Sequence, residues 1–382
     1  MRGGPMGRVH IAARRALFAR HSPGKRRLLQ LAATIAWPLG AVAEIARCLP
    51  ATPPPFRPAS RWGWLRRSSD ALWIALSRNI PPLEYVRLRL HEADRRDWGN
   101  DVFCSTELSV LPMLNQRLGA DPDDVQDKER FARICGEHAL ACVPTLAVFH
   151  NGAQRVPERA FLPTQPALWA KDLAGSRGSG GMRWDRVGTC YRNAEARLCS
   201  PEALVAEWRG RDTIVQPLMR NHPALDALGD GSLVDIRIVT GRTADGEVVT
   251  LAALTELPCP RPTGERRHLI AAIDAESGTL LRAYDRKEGP ISIHPLLGTP
   301  LCDHGLPHWR ACVDLVHRAH RIAFARFVFL GWDVIVTPDG PLLLEANSGW
   351  NPVPPQIALD RPLGRTRFAA IAAQYLEGDR CA

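Results

Sequence analysis

No two of the ten cysteines lie at CxxC spacing, and no Cys/His set has zinc-finger spacing. That argues against a structural zinc site. A chain of 382 residues builds a core without disulfide staples, so the thiols read as reduced and mostly small core residues. His317 and His320 stand three apart on an expected helix with no carboxylate motif nearby, and read as surface residues rather than metal ligands. Also missing are a GxxxxGK[ST] phosphate loop, a GxGxxG fingerprint and any internal repeat. Acids are scarce at one end. Residues 1–69 hold thirteen Arg/Lys against Glu44 alone, which leaves +12, so the rest of a +9 chain carries −3. The basic character belongs to an N-terminal arm that suits an anionic surface, membrane phosphates or nucleic acid, or is simply a solvated tail. The acidic body turns the expectation away from nucleic acid and toward peripheral membrane contact through residues 1–60.

What is present begins with LLQLAATIAWPLGAVAEIA (28–46), interrupted by Gln30, Pro38 and Glu44. It is marginal as a membrane span. Ala41-Val42-Ala43 resembles a signal-peptidase site, but the basic region before it is long for a leader. A helix in the membrane interface or one packed on the body is the favoured reading. PATPPPFRPAS follows as a semi-rigid linker, and 61–98 reads as partly helical. Trp62, Trp64 and Trp73 read as core rather than surface residues. These segments divide the chain into a basic arm with linker (1–60), a helical region (61–120) and a main domain (121–380), with a subdomain at about 145–220. The expected location is cytoplasmic, with peripheral contact on the inner face of the membrane.

From residue 121 strands and helices mix without strict alternation. Residues 121–135 read as one helix. Strands are expected at 143–152, 166–173, 213–219, 233–241 and 247–257, and a hairpin over 270–285. A helix over 308–327 is expected to bury Val313, Val316, Ala319 and Ile322. This favours α+β layers over a doubly wound sheet.

GWDVIVTPDGPLLLEANSGWNP (331–352) carries the chemistry. With Pro338-Asp339-Gly340 as a three-residue loop, Thr337 faces Pro341 and Asp333 lies opposite Glu345. Strand alternation puts Asn347 on the same face. Two facing carboxylates repel unless a cation lies between them, and hard oxygens of this kind suit Mg²⁺ completed by water and phosphate oxygens. Lys171 precedes a loop with Gly175, Gly178, Gly180 and Gly181, which could offer amides to phosphates or serve as a plain connection. Arg237 shares a strand face with Asp235 and reads either as a phosphate ligand or as half of a surface ion pair.

In this order the set resembles the ATP-grasp superfamily, in particular its sugar-transfer-associated group, related to α-L-glutamate ligases. The carriers are Asp127-Lys128, Val143-Pro144-Thr145, Lys171 before the 174–181 loop, Gln216-Pro217-Leu218, Arg237 and the Asp333…Glu345-Ala346-Asn347 signature. The resemblance covers roughly 120–375. It implies an ATP-grasp fold, two α+β subdomains clamping ATP between antiparallel sheets, with a partly helical N-terminal extension. It implies Lys128 and Lys171 at the ATP phosphates, 174–181 as lid, and Gln216 with the Leu218 backbone at the adenine. Asp333, Glu345 and Asn347 would hold two Mg²⁺ ions, with Mn²⁺ as an alternative, and Lys171 and Arg237 would act in catalysis. The implied activity is carboxylate activation by ATP for attack by an amine, on a small molecule, sugar or glycan precursor. The alternatives are a nucleotide-binding module without ligase chemistry and a phosphotransferase. Two departures stand out: Gly331-Trp332 replaces an arginine before the metal aspartate, leaving Arg237 or Arg242 to serve, and Arg266, Arg267 and His268 replace a glycine-rich stretch.

Overall fold

The computed structural model describes residues 4–19, 21–52, 54–173, 181–229, 231–259, 268–285 and 289–377. Two antiparallel sheets of seven strands organise it. The first joins β1 (Ala147–His150), β2 (Ala153–Val156), β3 (Ala167–Asp172), β4 (Met182–Val187), β5 (Cys190–Asn193), β6 (Leu198–Cys199) and β7 (Thr213–Pro217) in the order β2-β1-β7-β3-β4-β5-β6. The second joins β8 (Asp235–Arg242), β9 (Val248–Pro258), β10 (His268–Ile273), β11 (Leu280–Asp285), β12 (Gly289–Ile291), β13 (Phe329–Thr337) and β14 (Gly340–Asn347) in the order β12-β11-β10-β9-β8-β13-β14.

Among the described residues the chain opens with α1 (Pro5–Leu17), α2 (Pro23–Cys48), α3 (Arg61–Arg78), α4 (Pro82–Arg87) and α5 (Val110–Arg117). Then come α6 (Asp123–Gln126), α7 (Lys128–Glu137), α8 (Pro201–Arg209), α9 (Asp226–Gly229), α10 (Trp309–Ile322), α11 (Val353–Leu359) and α12 (Arg367–Glu377). The expected α+β layers are therefore present. The single helix expected over 121–135 is two, because Asp127 leaves helical geometry and its carboxylate accepts from the Glu129 and Arg130 amides at 2.8 and 3.0 Å. An aspartate satisfying orphan donors in this way starts a new helix rather than continuing an old one.

One face of the second sheet packs Ile236, Ile238, Trp332, Val334 and Val336 against α7 and α10. Helix α10 buries Trp309, Cys312, Leu315, Val316, Ala319 and His320, while Ile322 is exposed. The expected stripe went wrong through its steps of three, which drift around a helix of 3.6 residues per turn. His320, expected at the surface, is fully buried: Nδ1 lies 2.8 Å from Thr240 Oγ1 and Nε2 2.8 Å from the Phe327 carbonyl. The other face is covered at one end by α1, α5 and α12 around Val239 and Phe329, and at the other by α2, α3, α4 and α11 around Leu254, Ile270 and Ala272.

The described part of residues 1–60 packs on the body, one of the two favoured readings. Met6, Val9, Ala12 and Ala13 of α1 enter the core with α12, and His10 Nδ1 meets Glu107 Oε1 at 2.6 Å. Trp62 and Trp73, expected in the core, are exposed, whereas Trp64 packs inward.

Candidate active site

Strand β13 is buried along its whole length between β8 and β14. A strand covered on both faces reads as a continuous apolar run, and Asp333 is its one acid. Asp333 pairs with Arg237 on one side and Glu345 on the other, so the three side chains form a row across three strands. The expected opposition of Asp333 and Glu345 is correct, but the register behind it is not. Thr337 pairs with Gly340, not Pro341, and Val336 with Pro341; a bulge between Asp333/Val334 and their partners then adds one residue on β14. The tighter turn and the bulge cancel. Without the bulge Asp333 would face Leu344 and Glu345 would turn to the core face. The backbone of 141–143 docks at this point: Leu343 N–H donates to the Ala141 carbonyl at 2.9 Å, and Val143 N–H to the Leu343 carbonyl at 3.0 Å.

The Arg237 guanidinium grips Asp333 with both arms, Nε to Oδ1 and Nη2 to Oδ2, the latter at 2.9 Å. Arg237 is therefore half of an ion pair between strands, as one of its two readings had it, but a largely buried one rather than a surface one. Asn347 Nδ2 lies 3.4 Å from both Asp333 Oδ2 and Glu345 Oε1. Burial pushes the Asp333 carboxyl well up, with Asp235 and Glu345 adding to the effect and Arg237 opposing it. Burial also opposes ionisation of Glu345, but hydrogen bonds from Asp333 and Asn347, with Lys171 and Arg237 nearby, hold it below the usual glutamate value. Two facing carboxylates of opposite pKa shift are the electrostatic setting in which a divalent cation would balance the charge. Among the described residues no group of three or more His, Cys, Asp and Glu could hold a metal. Two carboxylates and one amide oxygen nevertheless fit Mg²⁺, which keeps waters and takes phosphate oxygens for the remaining positions.

Strand β3 of the first sheet and the start of α7 supply two lysines. On β3, Leu168 and Ala170 face the core under α8, so Trp169 and Lys171 point the other way. Burial pulls the Lys171 ammonium down, Glu345 and Asp333 resist, and Lys128 adds to the fall. Burial likewise pulls Lys128 down against Glu345, Asp127 and Asp172, while its Nζ donates to the Leu173 carbonyl at 3.0 Å. One lysine from β3, one from the start of α7 and two carboxylates from the second sheet thus share one electrostatic neighbourhood. Gln216 is buried in β7 opposite Trp169. The Leu218 N–H is spent on the Ala167 carbonyl at 3.1 Å. Gly181 directly precedes β4; Gly178, Gly180, Arg266 and Arg267 lie outside the described residues. Arg242 is not at the site, since it ends β8 beside Tyr375.

The structure adds two things that the sequence reading missed. Trp169 is a half-buried aromatic on the face of Lys171 and beside Gln216; strand alternation from Lys171 alone could have found it. A cavity of about 180 Å³ lies under α2, α4 and α11 and is lined by Cys48, Leu83, Ile270, Tyr284, Asn351 and Ile357 among others. Residues from five segments build it, so no local pattern announces it. Trp350 is buried against Phe103 and Phe368, lying over Gly331, where a Cβ would sit 2.9 Å from the Trp350 Cβ. That close approach is the physical reason for glycine before Trp332.

The chain from 112 to 370 matches a protein family described as sugar-transfer associated ATP-grasp. No curated protein matches the chain. Among solved structures, similarity extends to a carboxyaminoimidazole ribonucleotide synthase from Aspergillus clavatus complexed with ATP, at 14% identity over 66% of this chain and 54% of that one, TM-score 0.33. D-alanyl-alanine synthetase A from Vibrio cholerae is similar at 12% identity over 67% and 65% of the two chains, TM-score 0.39. An L-amino acid ligase from Bacillus licheniformis is similar at 11% identity over 77% and 60%, TM-score 0.39. The chain spans about half the length of the first of these, 54%.

Proposed function

The chain belongs to the sugar-transfer-associated ATP-grasp family, and from that membership and this site we propose an ATP- and Mg²⁺-dependent ligase that activates a carboxylate for attack by an amine. The observation that carries it is the row Arg237–Asp333–Glu345 on one sheet, with Lys171 of the other sheet and Lys128 at the start of α7 sensing the same glutamate. Such an arrangement is suited to a polyphosphate, whose charge needs cations on one side and metal ligands on the other.

Trp169 and Gln216 form the base-binding end, the indole offering a stacking face. Lys128 and Lys171 sit at the phosphates. Glu345, Asp333 and Asn347 hold Mg²⁺, which when bound screens the triphosphate and draws charge from the transferred phosphoryl group. Arg237 fixes the Asp333 carboxylate by both oxygens and is a positioning residue. In the reaction a carboxylate oxygen of the substrate bonds to the γ-phosphorus, the bridging P–O bond to ADP breaks, and an acyl phosphate forms. An amine nitrogen then attacks the acyl carbon, phosphate leaves with its C–O electron pair, and the amine gives up a proton. The substrate class we propose is a small carboxylic acid or amine of a sugar or glycan precursor, which the family description supports.

The test is ADP release across a panel of acid–amine pairs. Asp333→Asn and Glu345→Gln each lower turnover by at least about a hundredfold, the order of a lost transition-state charge contact. Full turnover in either variant refutes the metal assignment. A stable phosphorylated product in place of an amide reassigns the protein as a phosphotransferase, and ADP binding without turnover reassigns it as a binding module.

A further inference from the structure

The described surface carries a large apolar area outside the site. Leu28, Leu31, Ile35, Leu39 and Val42 recur every three or four residues along α2 and are all exposed, Leu39 at 76%. Beside them on α3, which packs along α2, Trp62, Leu65, Trp73 and Leu76 are exposed in the same helical rhythm, the two indoles at 81% and 69%. Monomeric soluble proteins rarely leave an apolar face of this extent uncovered. Cations rim it: Lys25, Arg26 and Arg27 at the start of α2 are exposed, as are Arg14 and Arg15 before it and Arg61 and Arg66 on α3.

Apolar side chains, interfacial tryptophans and a basic border are the chemistry of a phospholipid interface, and the border's sign selects anionic headgroups. We infer that α2 and α3 lie side by side in the outer layer of an anionic bilayer and hold the protein on it as a peripheral, non-spanning platform. Helix α2 is long and apolar enough to cross a membrane by length and composition, but its flanks forbid it in this fold. At its C-terminal end Ala41, Ile45 and Cys48 are buried against the body, and Trp37 Nε1 donates to the Ala75 carbonyl at 3.0 Å. At its N-terminal end only residues 18–22 separate it from α1, which is packed against α5 and α12 of the same body. A spanning α2 would leave α1 and the body on opposite sides of the bilayer. A helix fixed to one body at both ends lies flat.

Cys48, the last residue of α2, also lines the cavity on the site's side of the sheet. Platform and cavity therefore share one helix. The inference is independent of the ligase reading, because no platform residue touches the carboxylates or the lysines.

Flotation of the full chain with vesicles tests it, using phosphatidylglycerol–phosphatidylcholine mixtures against phosphatidylcholine alone. The protein floats with the anionic vesicles, salt weakens the binding without abolishing it, and Trp fluorescence shifts to the blue. Leu31→Glu/Leu39→Glu weakens partitioning by roughly tenfold or more, since about 1.4 kcal/mol of lost apolar transfer is already a factor of ten, while ADP binding and the thermal melt stay unchanged. Trp62→Ser/Trp73→Ser serves if the first variant misfolds. Equal partitioning of native and both variants, or no binding to anionic vesicles, overturns the platform. Retention in the bilayer after an alkaline wash, with α2 shielded from protease, overturns it in favour of a spanning helix. A concentration-dependent dimer that the variants abolish, without vesicle binding, overturns it in favour of a second copy of the chain.

Discussion

Arg237→Met is the most informative single change, because it removes one charge and keeps the volume. The Asp333 side chain is 6% exposed and that of Arg237 27%. Asp333 then loses both hydrogen bonds to the guanidinium and keeps its contact with Glu345 and the long one from Asn347 at 3.4 Å. Breaking a buried ion pair from one side costs about 3–5 kcal/mol. The exposed fraction of Arg237 and the ability of Asp333 to take up a proton trim this to about 2–4 kcal/mol near neutral pH. The pH dependence fixes the cause. Burial already raises the Asp333 pKa, and losing the arginine raises it further in the folded state only. Above the ordinary aspartate value, about 4, the unfolded chain releases a proton that the folded chain retains. Both proteins share that loss, so relative to the native protein the extra penalty develops only as pH rises past the already raised native Asp333 pKa toward the still higher one of the variant, and it is smallest on the acid side of the native value. Urea unfolding at a series of pH values measures this, with Asp333→Asn on the same background recovering part of the loss. A loss under about 1 kcal/mol, or one that does not vary with pH, would show that Arg237 is not the principal counter-charge of Asp333.

Gly331→Ala places a methyl group 2.9 Å from the Trp350 Cβ and lowers stability by about 1–3 kcal/mol in the same urea assay. Acid weakens the native protein through His320, whose pKa burial lowers to about 4. The unfolded chain takes a proton there below its ordinary value of 6.5, so stability falls as pH drops from that value through about 4, by up to ~3 kcal/mol; His320→Gln flattens this part of the pH profile. Trp169→Ala lowers ADP affinity by about tenfold or more in calorimetry, the range of aromatic–base stacking. Lys171→Met lowers affinity for ATP more than for adenosine, since it removes a phosphate contact and leaves the base-binding end intact.

Where chemistry and local geometry coincide, the chain was legible before folding. Three polar residues in an apolar hairpin could be placed on one face from strand period alone, and the sheets keep Asp333, Glu345 and Asn347 there. Lys171 could be placed at the end of a strand, although Trp169 on the same face was missed. Legibility failed where a one-residue choice decides the outcome. The turn at Pro338 is tighter than its glycine suggested, and only the bulge restored the opposition of Asp333 and Glu345. Helix α10 shows the same weakness, since its expected stripe drifted until it named Ile322, which is exposed. Polar residues that a core absorbs were equally hard to see: nothing local says that His320 is held by Thr240 and Phe327 rather than by water.

By itself the sequence determined the α+β character, the carboxylate hairpin, the cationic strand before a glycine-rich loop, and the concentration of positive charge in the first 69 residues. These depend on periods of two and 3.6 residues and on side-chain chemistry, which act over short stretches. Only the tertiary structure decided that Arg237 serves Asp333, that Trp350 closes over Gly331, that a cavity gathers from five segments, and that α1 and the end of α2 are tied to one body so that the apolar stripe faces outward. Each of these joins residues far apart in the chain. Whether such residues meet depends on which faces the packed core leaves available, a property of the whole molecule.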